Sequence, residues 1–130
     1  MPKLWLGLAV LLGFCAAAAN VLAESCQLPS GKRWQNDRQS TMTVEVEATG
    51  ALSGTYVTAV GCGAGTPRPL VGVCNGFAVT FVVNWQECGS TTAWSGTYDR
   101  GVLTTLWHLV RARPPTWDSI VAGTSTFAPQ

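Results

Sequence analysis

From Arg33 to Phe127 the chain is written as short runs of β-forming residues, each closed by turn chemistry. Almost nowhere do apolar residues recur at the 3.6-residue spacing of an amphipathic helix, so the fold class is all-β. Eight strands are predicted, over 33–36, 41–48, 51–60, 70–73, 77–85, 91–98, 102–110 and 119–127. The punctuation between them is chemical: a Thr49-Gly50-Ala51 corner, a Gly-rich loop after Val60, Asn75-Gly76 as the strongest hairpin signal, Asp99-Arg100-Gly101, and Pro114-Pro115. An even number of short antiparallel strands joined by hairpins suits an up-and-down β-barrel, whose closure removes the exposed edges that invite aggregation. A two-sheet sandwich is the alternative. Side-chain parity favours the barrel, because Phe77, Val79, Phe81, Val83 and Trp85 share one face, as do Trp94, Gly96 and Tyr98, and Leu103, Thr105, Trp107 and Leu109. The interior of an eight-stranded barrel has room for one small ligand.

Residues 1–23 differ in composition from the rest. Lys3 gives a positive start, 4–19 is almost wholly apolar, and Val21-Leu22-Ala23 has small-residue cleavage spacing, which together predict a signal peptide followed by a single domain over 24–130. The apolar run is short for a membrane span, and Phe14 before Cys15 does not match the small residue that lipid attachment prefers, so plain secretion to an extracellular or periplasmic space is expected. Without that segment four cysteines remain, Cys26, Cys62, Cys74 and Cys88, an even number suited to disulfides in an oxidising compartment and lacking the close spacing of a zinc site. Seven basic and seven acidic residues also remain. This balance provides no electrostatic footprint for nucleic acid or an anionic membrane.

Chemistry concentrates at one end of the predicted barrel. Trp85, Trp94 and Trp107 lie near the same end of successive inward faces, and Trp117 follows in the next loop at that end. Any one of these tryptophans is simply core filling. Together with Asn36, Ser40, Tyr56, Thr58, Ser90 and Thr92, which also fall at strand ends or loops there, they describe an apolar pocket with a few convergent neutral polar groups. Catalysis finds no comparable support. His108, the only histidine, alternates outward, and Glu45, Glu47, Glu87, Asp99 and Asp118 are scattered, so neither Ser40 nor Ser90 has an inward base; no enzyme and no metal site is expected.

These residues resemble the avidin and streptavidin family of biotin-binding proteins over nearly all of 24–130. Trp34-Gln35-Asn36 with Ser40-Thr41-Met42 is similar to that family's opening strand and loop, Leu52-Ser53-Gly54-Thr55-Tyr56 to its third strand, and Thr92-Ala93-Trp94-Ser95-Gly96 to its sixth. Trp107 and the 117–123 stretch complete the order. The resemblance implies a secreted protein that holds biotin in a Trp-lined barrel mouth and needs no cofactor. Asn36, Ser40 and Tyr56 would donate to the urea oxygen, Thr58 would accept from a urea N–H, Trp85, Trp94 and Trp107 would enclose the bicyclic body, and Thr92 would lie near the sulfur. Ser90 and the backbone at Gly61 and Cys62 would meet the tail carboxylate. Ser125, in the inward phase of the last strand with Phe127, stands where many relatives place Asp or Asn for the second urea N–H, and Arg38 occupies a loop position commonly apolar in the family.

The resemblance also implies a Cys62–Cys88 bridge, like one in dimeric relatives, which leaves Cys26 with Cys74. That second pair is expected at the opposite end of the barrel, within one subunit or between two. Outward Val57, Val82, Leu106, His108 and Val110 would leave an apolar patch on a monomer, so a homo-oligomer is expected. The loop disulfide resembles dimers, whereas Trp117 resembles the residue that tetrameric members lend to a neighbour; a homodimer is the expectation and a homotetramer the alternative. Two other functions stay open: a secreted structural or inhibitory barrel with its tryptophans as core, and an avidin-like barrel for another small ligand.

Overall fold

Alternating burial and tight turns close this sequence on itself. The computed structural model describes residues 24–112 and 119–130, in which β1 (Lys32–Asn36), β2 (Thr41–Val46), β3 (Ala51–Val57), β4 (Arg68–Asn75), β5 (Ala78–Asn84), β6 (Ser90–Asp99), β7 (Val102–Arg111) and β8 (Ile120–Pro129) form one closed barrel in sequence order. Every neighbouring pair is antiparallel, and β8 returns to pair with β1 through Gln35 opposite Ala128. The expected all-β, eight-stranded up-and-down barrel is therefore the observed fold. The expected signal peptide and Trp117 lie outside the described residues.

Turn chemistry sets the register. Arg100 and Gly101 both take positive φ, 48° and 86°, between the paired residues Asp99 and Val102. This is the two-residue hairpin whose twist matches that of its strands. The Asn75-Gly76 signal marks a real hairpin displaced by one position, because Asn75 pairs with Ala78 and the two turn residues are Gly76 and Phe77. Phe77 consequently leaves the inward set predicted for it and is 54% exposed. β3 also ends earlier than expected, at Val57, because Thr58 Oγ1 donates to the Val60 carbonyl at 2.8 Å and accepts the Val60 N–H at 3.2 Å, turning the chain out of the ladder. β4 is longer than expected and takes in Pro69, whose fixed φ is compatible with extended backbone.

The core fills the barrel below one open end. Trp34, Met42, Val44, Leu52, Leu70, Val79, Phe81, Leu103 and Phe127 are buried. Phe81 stacks on Trp94 at 4.9 Å and meets Phe127 edge-on at 5.9 Å. Such aromatic pairs contribute about 0.5–1.5 kcal/mol each beyond the area they bury, and here they form a rigid floor. Two disulfides close the molecule at its two ends. Cys62–Cys88 ties the β3–β4 loop to the β5–β6 loop, and Cys26–Cys74 ties the segment before β1 to the end of β4, with Cα atoms 5.3 Å apart, within one chain.

Candidate functional site

The barrel's open end holds a cavity of about 210 Å³ lined by Asn36, Ser40, Tyr56, Thr58, Gly61, Cys62, Trp85, Ser90, Thr92, Trp94, Trp107 and Ser125. These are the described residues that the sequence assigned to the site, and the fold brings them together from five strands, β1, β3, β6, β7 and β8, and the loops between strands. Arg38, Val60 and Leu109 complete the lining. Leu109 lies on the face already occupied by Trp107, so its position was readable from parity; Val60 enters only because the chain turns at Thr58. Among the described residues, no group of His, Cys, Asp and Glu could hold a metal ion.

Hydrogen bonding fixes the character of the polar wall. The Asn36 Oδ1 accepts from the backbone N–H of Arg38 at 3.0 Å and of Ser40 at 2.9 Å, which orients its amide group, and Nδ2 donates to the Tyr56 hydroxyl at 3.3 Å. Nδ2 carries a second N–H to give. Ser40 Oγ accepts the Ala59 N–H at 3.0 Å, which leaves its O–H to swing towards Tyr56 or the cavity. Tyr56, receiving the Asn36 bond, can pass its own proton onward. Three donors thus converge. Thr58 has the opposite character, since its proton is committed to the Val60 carbonyl and its remaining lone pair can accept. A set of donors beside an acceptor complements a planar carbonyl flanked by an N–H, as in a cyclic urea or amide.

Burial keeps Tyr56 a donor. Desolvation raises its pKa to about 12, more than offsetting the lowering effects of the hydrogen bond with Ser40 and the charge of Arg38. An unfolded tyrosine loses its proton near pH 10, so between pH 10 and 12 the folded state holds a proton that the unfolded state has lost. Stability of the ligand-free protein is therefore unchanged by this group below pH 10 and falls through that window, by about 2–3 kcal/mol in all. Denaturant midpoints at pH 9 and 11.5 for wild type and Tyr56→Phe check this: the variant should lack that part of the alkaline loss, and identical losses would contradict it.

The apolar wall is aromatic. Trp94 lies between Phe81 and Tyr56, with centroids at 4.9 and 4.8 Å. Trp85 Nε1 donates to Thr92 Oγ1 at 2.8 Å, locking the ring and leaving the threonine proton for a soft acceptor. Trp107 is half-buried and rests on the backbone of its β8 partner, Gly123, where a Cβ would stand 2.6 Å from the ring. Only glycine leaves this ring flat against the sheet. Ser125 is buried on β8 opposite Thr105, inward and lining the cavity as its phase predicts. At the rim, the Cys62–Cys88 disulfide links the lining loop to the one-turn 3-10 helix Gln86–Cys88.

A further support was not read from the sequence. Arg68 is buried at the cavity end of β4 and binds Gln86 Oε1 at 2.7 Å and the Glu87 carboxylate, clasping the segment that follows Trp85. The Glu87 backbone N–H, then the Arg68 guanidinium, hold that carboxyl below its ordinary pKa. Glu87, though largely exposed, is thus a partner in the clasp.

The Avidin family model matches residues 23–130. The chain belongs to the avidin family. It is 41% identical over 81 residues to afifavidin from Afifella pfennigii, a match covering 57% of this chain and 51% of that protein, so it aligns with about half the length of this relative. Among solved structures, a shwanavidin variant in complex with biotin is 30% identical with a TM-score of 0.75, over 80% of this chain and 98% of that one. The rhizavidin–biotin complex is 31% identical with a TM-score of 0.68, over 76% and 98%. In this avidin-family barrel the cavity occupies the end where β1–β2, β3–β4 and β5–β6 loops meet, opposite the Cys26–Cys74 bridge.

Proposed function

We propose that this protein is a secreted biotin-binding protein, a binder rather than an enzyme, that holds biotin in the tryptophan-walled mouth of its barrel. The observation that carries the reading is the convergence of Asn36, Ser40 and Tyr56 as donors beside Thr58 as an acceptor, over aromatic walls. That pattern matches a urea oxygen and one urea N–H, and the biotin complexes of shwanavidin and rhizavidin support it. Trp85, Trp94 and Trp107 enclose the bicyclic rings, where hydrogen bonds shielded from water gain strength. Thr92 offers its proton to the sulfur, and Ser90 with the backbone at Gly61 and Cys62 meets the tail. Ser125 accepts the second urea N–H. Its neutral hydroxyl makes a weaker bond than a carboxylate at that place would.

Calorimetry of biotin added to biotin-free refolded protein tests the reading, with one biotin bound per chain as the expected result. Absence of heat, together with passage through a biotin column, favours a structural or inhibitory barrel. Secretion is supported by the two disulfides and the apolar 1–23 segment. A homodimer is supported by apolar side chains left on the barrel exterior, Leu106 at 67% and Val82 at 41% exposure among them. Light scattering at micromolar concentration should give at least twice the subunit mass; a single-subunit mass contradicts assembly.

A further inference from the structure

Arg38 is the one charged side chain among the described residues that line the cavity. Its place is built rather than incidental. The backbone N–H of Arg38 is held by Asn36 Oδ1 at 3.0 Å, Gln39 after it takes a φ of 67°, and Asp37 before it is tied to β8 through an N–H bond to the Thr126 carbonyl at 3.2 Å. The loop therefore presents the side chain at a set point on the rim. There the guanidinium carbon stands 5.2 Å from the Trp107 ring centroid, a cation over an aromatic face. Among the described residues the carboxylates that form ion pairs are Glu87 with Arg68 and Asp99 with Arg100, so Arg38 has no carboxylate partner in that set. Its charge reaches into the cavity as far as the Tyr56 hydroxyl.

The guanidinium held over Trp107 has no carboxylate partner among the described residues, and its forked N–H donors match a carboxylate best. The remaining lining is neutral and by itself distinguishes poorly between an acid and its amide. We propose that Arg38 is a specificity-determining residue that selects ligands carrying an anionic tail at the cavity mouth, so that free biotin is preferred over biotin whose carboxylate has become an amide. The proposal rests on the reading of this cavity as a biotin site.

The test measures Kd for biotin and for biotin carboxamide with wild type, Arg38→Gln and Arg38→Lys, at about 0.02 M and about 1 M ionic strength. Wild type should prefer the acid by about three- to tenfold at low salt, the range for an ion pair at a partly shielded rim, and much of that preference should vanish at high salt. Arg38→Gln should abolish the preference by weakening acid binding more than amide binding, and Arg38→Lys should keep most of it. Equal affinity of wild type for acid and amide overturns the proposal and leaves the biotin reading standing. A loss in Arg38→Gln that is the same for both ligands also overturns it, showing that Arg38 acts through Trp107. Wild type that binds neither compound refutes the biotin reading itself, and the proposal with it.

Discussion

Replacing Asn36 with alanine is expected to weaken biotin binding by about 10²- to 10³-fold, because one side chain performs two tasks. Its Nδ2 belongs to the donor set, and its Oδ1 accepts the backbone N–H groups of Arg38 and Ser40. Losing a donor to a buried ligand oxygen costs about 1–2 kcal/mol, and leaving the half-buried loop N–H groups without their acceptor costs about 1–3 kcal/mol more. Part of the second loss falls on the fold rather than the ligand, since Ser40 is itself a donor whose place depends on that loop. Asn36→Asp separates the tasks. A carboxylate still accepts from Arg38 and Ser40, so the loop and the melting temperature should hold, while a negative charge facing the urea oxygen should weaken binding at least as much as alanine does. Displacement off-rates and thermal melts of both variants decide the matter. An Asn36→Ala protein that releases biotin at the wild-type rate would mean that Asn36 does not face the ligand.

Legibility in the sequence follows the range over which each interaction acts. Period-two alternation is local, and it placed Phe81, Trp85, Trp94, Trp107 and Ser125 on inward faces with no knowledge of the pairing. Its weakness is the hairpin, where one residue of phase decides everything: Phe77 looks inward if the turn is Asn75-Gly76 and faces solvent once the turn is Gly76-Phe77. Arg68 is illegible for a different reason. It sits between Pro67 and Pro69 and reads as loop, and nothing local announces that Glu87, 19 residues later, neutralises a buried guanidinium. The orientation of the Asn36 amide and the commitment of the Thr58 proton depend on backbone groups brought near by turns, which composition does not encode. The roles expected of Asn36, Ser40 and Thr58 rest on the resemblance; the hydrogen bonds show which protons and lone pairs each has left to offer a ligand.

Cysteine pairing had the same limit, because Cys26 precedes β1 and has no strand register to place it. In the folded chain that segment joins the β4–β5 turn, with the Gln27 N–H on the Gly76 carbonyl at 2.8 Å and the Gly76 N–H on the Glu24 carbonyl at 3.2 Å, which brings Cys26 to Cys74. The bridge spans 48 residues, and the chain-entropy model assigns it about 4 kcal/mol, against about 3.5 kcal/mol for Cys62–Cys88 with its span of 26. The two bridges differ in what else they do. Cys26–Cys74 is remote from the cavity, whereas Cys62 lines it. Removing the first bridge as Cys26→Ala with Cys74→Ala is therefore expected to lower stability by about 4 kcal/mol while biotin affinity of the folded protein stays within about threefold. Ligand linkage then makes the contrast measurable. Biotin at about 1,000 times its Kd adds about 4 kcal/mol to a folded state that binds it, so this variant should recover wild-type, ligand-free stability at a biotin concentration set by an almost unchanged Kd. Cys62→Ala with Cys88→Ala should lose slightly less without ligand, yet need more biotin for the same recovery, because its loosened rim raises Kd. Denaturant titrations across a biotin series check both, and a biotin requirement about 2- to 3-fold lower in the Cys62–Cys88 variant, as its smaller stability loss alone dictates, would show that the rim bridge has no part in holding the mouth in its binding shape.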